Sequence, residues 1–375
     1  MRKLDPTRRQ AIGGIGAGAL AVTAVPLLAA AEPEFPLGSV VRTLLKDYAP
    51  SELAGGATLF HEHMSLRNGF MVDWMRYAGE TRTANQAPGT PARPVGSGGA
   101  APAPAPNFMV DEELMADEMA IAKREGIGCI VDAGHPDMGR DVGFLRRISQ
   151  RSGLPIVASA GFYTQPFYPK DIGAWSEDKV FEEIMQQVRA NPTGALGEIG
   201  SWDYITKDER KVFRAVGRVH KATNIPIFTH TGIPGKSALE QLDILEDAGV
   251  DPRRVVIGHL GNLVDANTEI QRAIIRRGAY IGIDRQGGAG DAQVVPMVAS
   301  LIAQGYADHL MFSSDLSSPR EIKRNNPTGG GYAKTLTVFA PKLKEAGASD
   351  ADLHKIMYDN PRRFLAFVPK IKRTA

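Results

Sequence analysis

Eight short runs of apolar and β-branched residues punctuate this chain, separated by stretches whose apolar positions recur at helical spacing. The runs fall at residues 57–61, 128–133, 155–160, 195–199, 226–230, 255–259, 280–284 and 310–314. Helical patterns cover 111–125, 141–152, 177–190, 207–223, 237–248, 267–277 and 292–305. Continuous apolar runs fit parallel strands buried on both faces, and parallel strands need long crossovers between them. Eight such units predict an α/β fold of one domain, a (β/α)8 TIM barrel over residues 32–375. The rival is an open, doubly wound sheet, which loses because no Gly-x-Gly-x-x-Gly turn follows an early strand.

Two stretches break the alternation. Residues 40–45 supply an extra short element, predicted to cap the bottom of the barrel. Residues 78–107 are rich in Pro, Ala and Gly and read as an insertion in the loop after the first strand. A lid over the barrel mouth and a solvated excursion both remain open for it.

The first 31 residues differ from the rest. Arg8-Arg9 precedes an uncharged stretch that ends Ala29-Ala30-Ala31, the pattern of a twin-arginine export signal. The expectation is cleavage near Ala31, a periplasmic or secreted mature protein, and no stable membrane insertion afterwards. Glycines at 13, 14, 16 and 18 make the segment a poor permanent span. Loss of residues 1–31 removes four basic groups and one acidic group, so the formal +2 of the whole chain becomes −1. That near-neutral balance argues against nucleic acid as a partner. With one cysteine, Cys129, in an apolar run, the chain can form no internal disulfide framework.

Candidate chemistry sits where the strands end. His61 and His63 are two residues apart, so on an extended strand both imidazoles face the same way. Glu198, His230, His259 and Asp315 close four later strands. In a barrel these ends share one face, so four histidines and two carboxylates converge on one pocket. One such residue alone would more often be packing or surface polarity; together they point to bound metal.

Several stretches resemble the phosphotriesterase family of the amidohydrolase superfamily: residues 58–63, Gly139-Arg140-Asp141, residues 160–163, Thr229-His230-Thr231, Gly258-His259, residues 329–332 and residues 360–365. The resemblance implies two divalent metal ions, usually zinc, with manganese, cobalt or iron in some members. It places His61, His63 and Asp315 on the more buried ion and His230 and His259 on the other. The bridge, a carboxylated lysine in many members, is here Glu198, as in a glutamate-bridged, phosphotriesterase-related branch. A metal-bridging hydroxide is the implied nucleophile, with Asp315 taking its proton as the catalytic group.

Arg285, in an Asp-Arg pair shared with the family's lactonases, and Tyr163 are the substrate-binding candidates; a rim salt bridge and plain aromatic packing are their alternatives. His135 is expected on a surface loop, and Trp202 and Tyr204 are expected to wall the site. The segment after Asp315 is short, which weakens an assignment to acyl-homoserine lactones. The leading expectation is a hydrolase of small carboxylic esters or lactones with weak phosphotriesterase activity. An organophosphate hydrolase, a non-catalytic metal-containing binding protein and a one-metal deaminase-type barrel are the competitors. A homodimer is left open.

Overall fold

The computed structural model describes residues 32–84, 107–232, 237–263, 267–288 and 290–373. The expected export signal therefore lies outside the described residues, as does most of the 78–107 insertion.

Eight parallel strands run in sequence order around one sheet: β3 (Ala57–Glu62), β4 (Ile127–Asp132), β5 (Ile156–Ala160), β6 (Thr193–Ser201), β7 (Ile227–Thr231), β8 (Val255–Ile257), β9 (Tyr280–Ile283) and β10 (Leu310–Phe312). The sheet curls until its ends meet at the top: the His61 N–H on β3 donates to Ser313 Oγ, just past β10, across 3.0 Å. This is the (β/α)8 barrel the pattern predicts. Side chains alternate along each strand. Phe60, Cys129, Val131, Val157, Ala195, Phe228, Val256 and Met311 fill the interior. Their neighbours Leu59, Ile130, Ile156, Leu196, Ile227 and Ile257 face the helices. Cys129 is thus a packed hydrophobe, and burial pushes its thiol up to about 12.

The crossovers are α2 (Glu112–Arg124), α3 (Val142–Ser152), α4 (Glu177–Ala190), α5 (Lys207–Thr223), α6 (Ala238–Asp247), α7 (Glu269–Arg276) and α8 (Asp291–Ala303). Their starts follow local chemistry: the side chains of Asp111, Asp141, Ser176 and Thr206 each accept from a backbone N–H in the first turn. The short hairpin of β1 (Val41–Arg42) and β2 (Asp47–Tyr48) lies at the barrel bottom, where the Leu44 N–H donates to the Ile156 carbonyl at the start of β5. That is the position expected for residues 40–45.

Two findings correct the sequence reading. A helix absent from the prediction, α1 (Phe70–Ala84), runs into the segment taken as an insertion from residue 78. No proline interrupts it before Pro88, and Phe70, Met71, Trp74 and Tyr77 share one helical stripe. Helical segments within residues 335–365, also unpredicted, follow β10 and complete the ring.

Strands β8 and β10 stop earlier than predicted because their last residues turn out of the ladder. His259 and Asp315 have φ of 61° and 45°, the left-handed region that non-glycine residues seldom occupy. Gly258 permits the turn at β8, since a Cβ there would lie 2.1 Å from the Thr229 carbonyl oxygen of β7.

Candidate metal centre

The strand ends bring all six predicted ligands together. Around one point stand His61, His63 and Asp315; around a second stand His230, His259 and Glu198. His61 Nε2 lies 3.3 Å from Glu198 Oε2 and 3.8 Å from Asp315 Oδ1. His63 Nε2 lies 3.0 Å from Glu198 Oε1 and 3.5 Å from Asp315 Oδ1. On the other side, Glu198 Oε2 faces His230 Nδ1 at 3.0 Å and His259 Nε2 at 3.5 Å. Glu198 therefore touches both groups, one oxygen towards His63 and the other towards His230 and His259.

These separations fit metal ligands. Four ligands about 2.0–2.2 Å from a cation at tetrahedral angles stand roughly 3.3–3.6 Å apart. Hydrogen bonding within the protein leaves part of this cluster unmet: both His61 nitrogens, His63 Nδ1 and His230 Nε2 are buried without a hydrogen-bond partner.

Charge gives the same answer. Three carboxylates, Glu198, Asp284 and Asp315, meet one guanidinium, that of Arg285, in a buried centre. Burial opposes a charge on His61, yet Glu198, Asp315 and Asp284 outweigh it and raise the imidazole to about 9. Despite its burial, Glu198 is held well below the usual carboxylate range by His61, His230 and His259. Asp315 is likewise lowered against its burial, first by Arg285 and then by the histidines. His230 goes the other way, to about 4, through burial and the neighbouring His259. The cluster draws a proton onto His61 where divalent cations would supply the missing positive charge.

A supporting layer fixes the ligand atoms. His259 Nδ1 lies 2.6 Å from Asp284 Oδ1, which makes Nε2 the free lone pair. Glu62, fully buried between the two histidines, accepts from the Ser314 N–H at 2.5 Å and the Leu316 N–H at 3.1 Å, on either side of Asp315. Burial pushes its carboxyl up to about 7. Sequence reading missed both residues. Asp284 was visible only as the partner of Arg285 in a dipeptide, and Glu62 only as the middle of His-Glu-His.

The other candidates divide. Tyr163 is buried, its hydroxyl 3.1 Å from His230 Nδ1 and accepting from the Trp74 indole at 2.8 Å. Arg285 Nε donates to Asp315 Oδ2 at 2.6 Å, and Nη2 lies 2.9 Å from His259 Nε2, so its ion pair stands inside the site. Trp202 packs its ring on His230, as expected of a wall, whereas Tyr204 is 68 % exposed and is not part of one. His135 is not on the surface: it is fully buried, with Nε2 2.6 Å from the carbonyl of Gly197, next to Glu198. The Glu198 N–H donates to the Ala133 carbonyl just past β4, which holds this loop against β6, and burial lowers the imidazole to about 3.

A cleft of about 380 Å³ opens onto Glu198, His63 and Asp315. Leu66, Phe70, Met71 and Trp74 give it an apolar flank, and Arg285 and Lys334 a basic one.

A family model described as the phosphotriesterase family matches residues 41–365. The chain belongs to the phosphotriesterase family. That family uses a binuclear metal centre, and this chain clusters His, Asp and Glu candidate ligands at its strand ends. The phosphotriesterase homology protein of Escherichia coli is 30 % identical over 261 residues, spanning 67 % of this chain and 88 % of that one. The N-acetyltaurine hydrolase of Tetraodon nigroviridis is 28 % identical (70 % and 80 %), and the aryldialkylphosphatase of Saccharolobus solfataricus 29 % (68 % and 87 %). A crystal structure of the E. coli protein with phosphate in its active site superposes with a TM-score of 0.69, at 27 % identity, covering 83 % of this chain and 99 % of that one. A resiniferatoxin-binding protein from Rhodobacter sphaeroides superposes at 0.71, with 26 % identity and coverage of 88 % and 95 %. The chain is thus a phosphotriesterase-family hydrolase with clustered candidate metal ligands.

Proposed function

We propose that this protein hydrolyses the carbonyl bond of a small ester, lactone or amide at a zinc pair held by His61, His63 and Asp315 on one side and His230 and His259 on the other, with Glu198 between them. The observation that supports it most directly is Glu198 facing both ligand groups within 3.5 Å. Imidazole and carboxylate donors suit zinc, with manganese, cobalt or iron as outcomes of metal analysis. When bound, the two cations would acidify water towards neutrality and polarise the substrate oxygen.

The chain's own groups do the remainder. Arg285 keeps Asp315 ionised, so its oxygens accept a proton rather than donate one at neutral pH. The Arg285 guanidinium lies over the Trp74 ring, 5.5 Å from its centroid, at the boundary of the apolar flank. Phe70 and Tyr163 pack near His230 and exclude water from that side. Among the relatives' names both a phosphatase and an amide hydrolase occur, which favours a carbonyl or phosphoryl centre at the same position.

The test is a side-by-side panel of lactones, aryl esters, N-acylated amines and phosphotriesters, with metal content measured in the same samples. Two ions per chain and chelator-sensitive turnover of carbonyl substrates above phosphotriesters are expected. Dominant phosphotriester turnover, or an inert protein with both ions bound, overturns the reading.

We also propose export of the folded chain by residues 1–31, on the strength of Arg8-Arg9 ahead of an uncharged stretch. Replacing both arginines by lysine should retain the protein in the cytoplasm; unchanged fractionation overturns this.

A further inference from the structure

Glu198 reaches both ligand groups from a break in its own strand. Pairing of β6 with β7 runs from Leu196 opposite Ile227 to Ile199 opposite Thr229, three positions along one strand against two along the other. Gly197 and Glu198 thus share the single place opposite Phe228, which makes a β-bulge. Glycine is required there, since a Cβ on residue 197 would lie 2.1 Å from the Phe228 carbonyl oxygen. A bulge bends its strand and re-aims the side chains beside it, and it disrupts the ladder that would otherwise hold that backbone.

The far end of the side chain has no scaffold of its own. Among the described residues, the Glu198 carboxylate hydrogen-bonds or ion-pairs only with His61, His63, His230 and His259, the same groups that would hold the ions. Its aim is therefore set from the backbone side, and the loop after β4 supplies the hold. His135 Nε2 stands 2.6 Å from the Gly197 carbonyl oxygen, and the Glu198 N–H donates to the Ala133 carbonyl at 3.4 Å. Burial keeps this imidazole neutral, with one proton to place. A carbonyl only accepts, so the proton is on Nε2 and Nδ1 carries a lone pair. Nδ1 lies 3.8 Å from Asp137 Oδ1, while Asp137 Oδ2 accepts the Tyr163 N–H at 2.9 Å. One buried loop thus fixes both the bridge residue and the aromatic wall beside His230.

We propose that His135 is a positioning residue for the bridge: by donating to the Gly197 carbonyl it fixes the bulge and holds Glu198 between the two ligand groups, without touching an ion. The inference rests on the metal-pair reading above and adds the residue that aims the shared carboxylate. A histidine buried for packing alone would stabilise the fold and leave metal affinity as it is.

The experiment titrates metal-depleted wild type, H135F and H135Q with zinc against a competing chelator, and records urea midpoints of the same proteins. Phenylalanine keeps an aromatic ring and loses the donor, whereas the glutamine amide nitrogen reaches the place of Nε2. H135F should bind zinc about 10–100-fold more weakly, the loss usual for a partner behind a ligand, and H135Q should regain most of that affinity. Wild-type zinc affinity in H135F overturns the proposal whatever its urea midpoint, and so does an H135Q as weak as H135F. Should H135F fail to fold, H135N replaces it, its shorter amide falling short of the carbonyl, with the same results in support and against. Wild type that takes up no zinc pair refutes the metal reading instead, and crystal structures of metal-free wild type and H135F then decide. A Glu198 carboxylate swung away from His63 and His230 in H135F supports the proposal; one left in place overturns it.

Discussion

Asp284 grips His259 through a 2.6 Å contact between Oδ1 and Nδ1, and its other oxygen accepts the His259 N–H at 3.2 Å. One carboxylate thus sets both the tautomer and the backbone of a residue whose φ is 61°. Such a layer behind a ligand sets affinity without touching the ion.

Asp284→Asn should therefore weaken binding of one ion by about 10–100-fold, as outer partners of ligating histidines generally do. Titration of metal-depleted protein with zinc would show two ions in wild type and one weakened ion in the variant. Identical isotherms would contradict the role.

Glu198→Gln removes the charge that faces both ligand groups while keeping size. Metal content should fall from two ions to one or fewer, and turnover by at least about a hundredfold, since a shared carboxylate is lost from a two-metal clamp. Two ions retained in the variant would point to a centre without a bridge.

Glu62→Ala leaves the Ser314 and Leu316 N–H groups buried without an acceptor. At about 1–3 kcal/mol for each unsatisfied group, the fold should lose on the order of 2–6 kcal/mol, seen as a lower urea midpoint. Asp315 lies between those two amides, so zinc affinity should drop as well. Stability lost with zinc affinity intact would confine Glu62 to the scaffold.

Asp137 governs a pH effect away from the ligands. Its Oδ2 accepts the Tyr163 N–H at 2.9 Å, and burial raises its carboxyl from 3.8 to about 7. The folded protein thus binds a proton here that the unfolded chain has released between those pH values. Stability from this group is full below pH 3.8 and declines as pH rises towards 7. Asp137→Asn keeps the acceptor and removes the titration. Its melting temperature should match wild type near pH 4 and exceed it at pH 8; parallel curves would remove Asp137 from the pH dependence.

Removing the metals should lower the melting temperature, because ions that bind only the folded state stabilise it by mass action. The effect should be greater at pH 8 than at pH 6. His61, with a raised value of about 9, carries in the metal-free protein a proton that competes with the ion, and that competition weakens as pH rises. Zinc titrations with a pH indicator would register the released proton.

What could be read along the chain was whatever repeats or clusters locally. Continuous apolar runs disclosed all eight strands, and apolar positions at helical spacing placed the seven crossover helices α2 to α8, because periodicity is a property of neighbours in sequence. His61, His63, Glu198, His230, His259 and Asp315 were legible because a barrel sends every strand end to one face. Helix α1 escaped because Pro and Ala crowd the residues after it. Only the folded chain could show Asp284 behind His259, Glu62 beneath Asp315, and His135 drawn inward to Gly197. The same holds for Lys334 and Trp74, which line one cleft. These pairings join residues 25 to 260 positions apart, and no local pattern records which side chains meet once the sheet has closed. Sequence carried the alphabet of the site; closure of the barrel chose the neighbours that give each group its charge and aim.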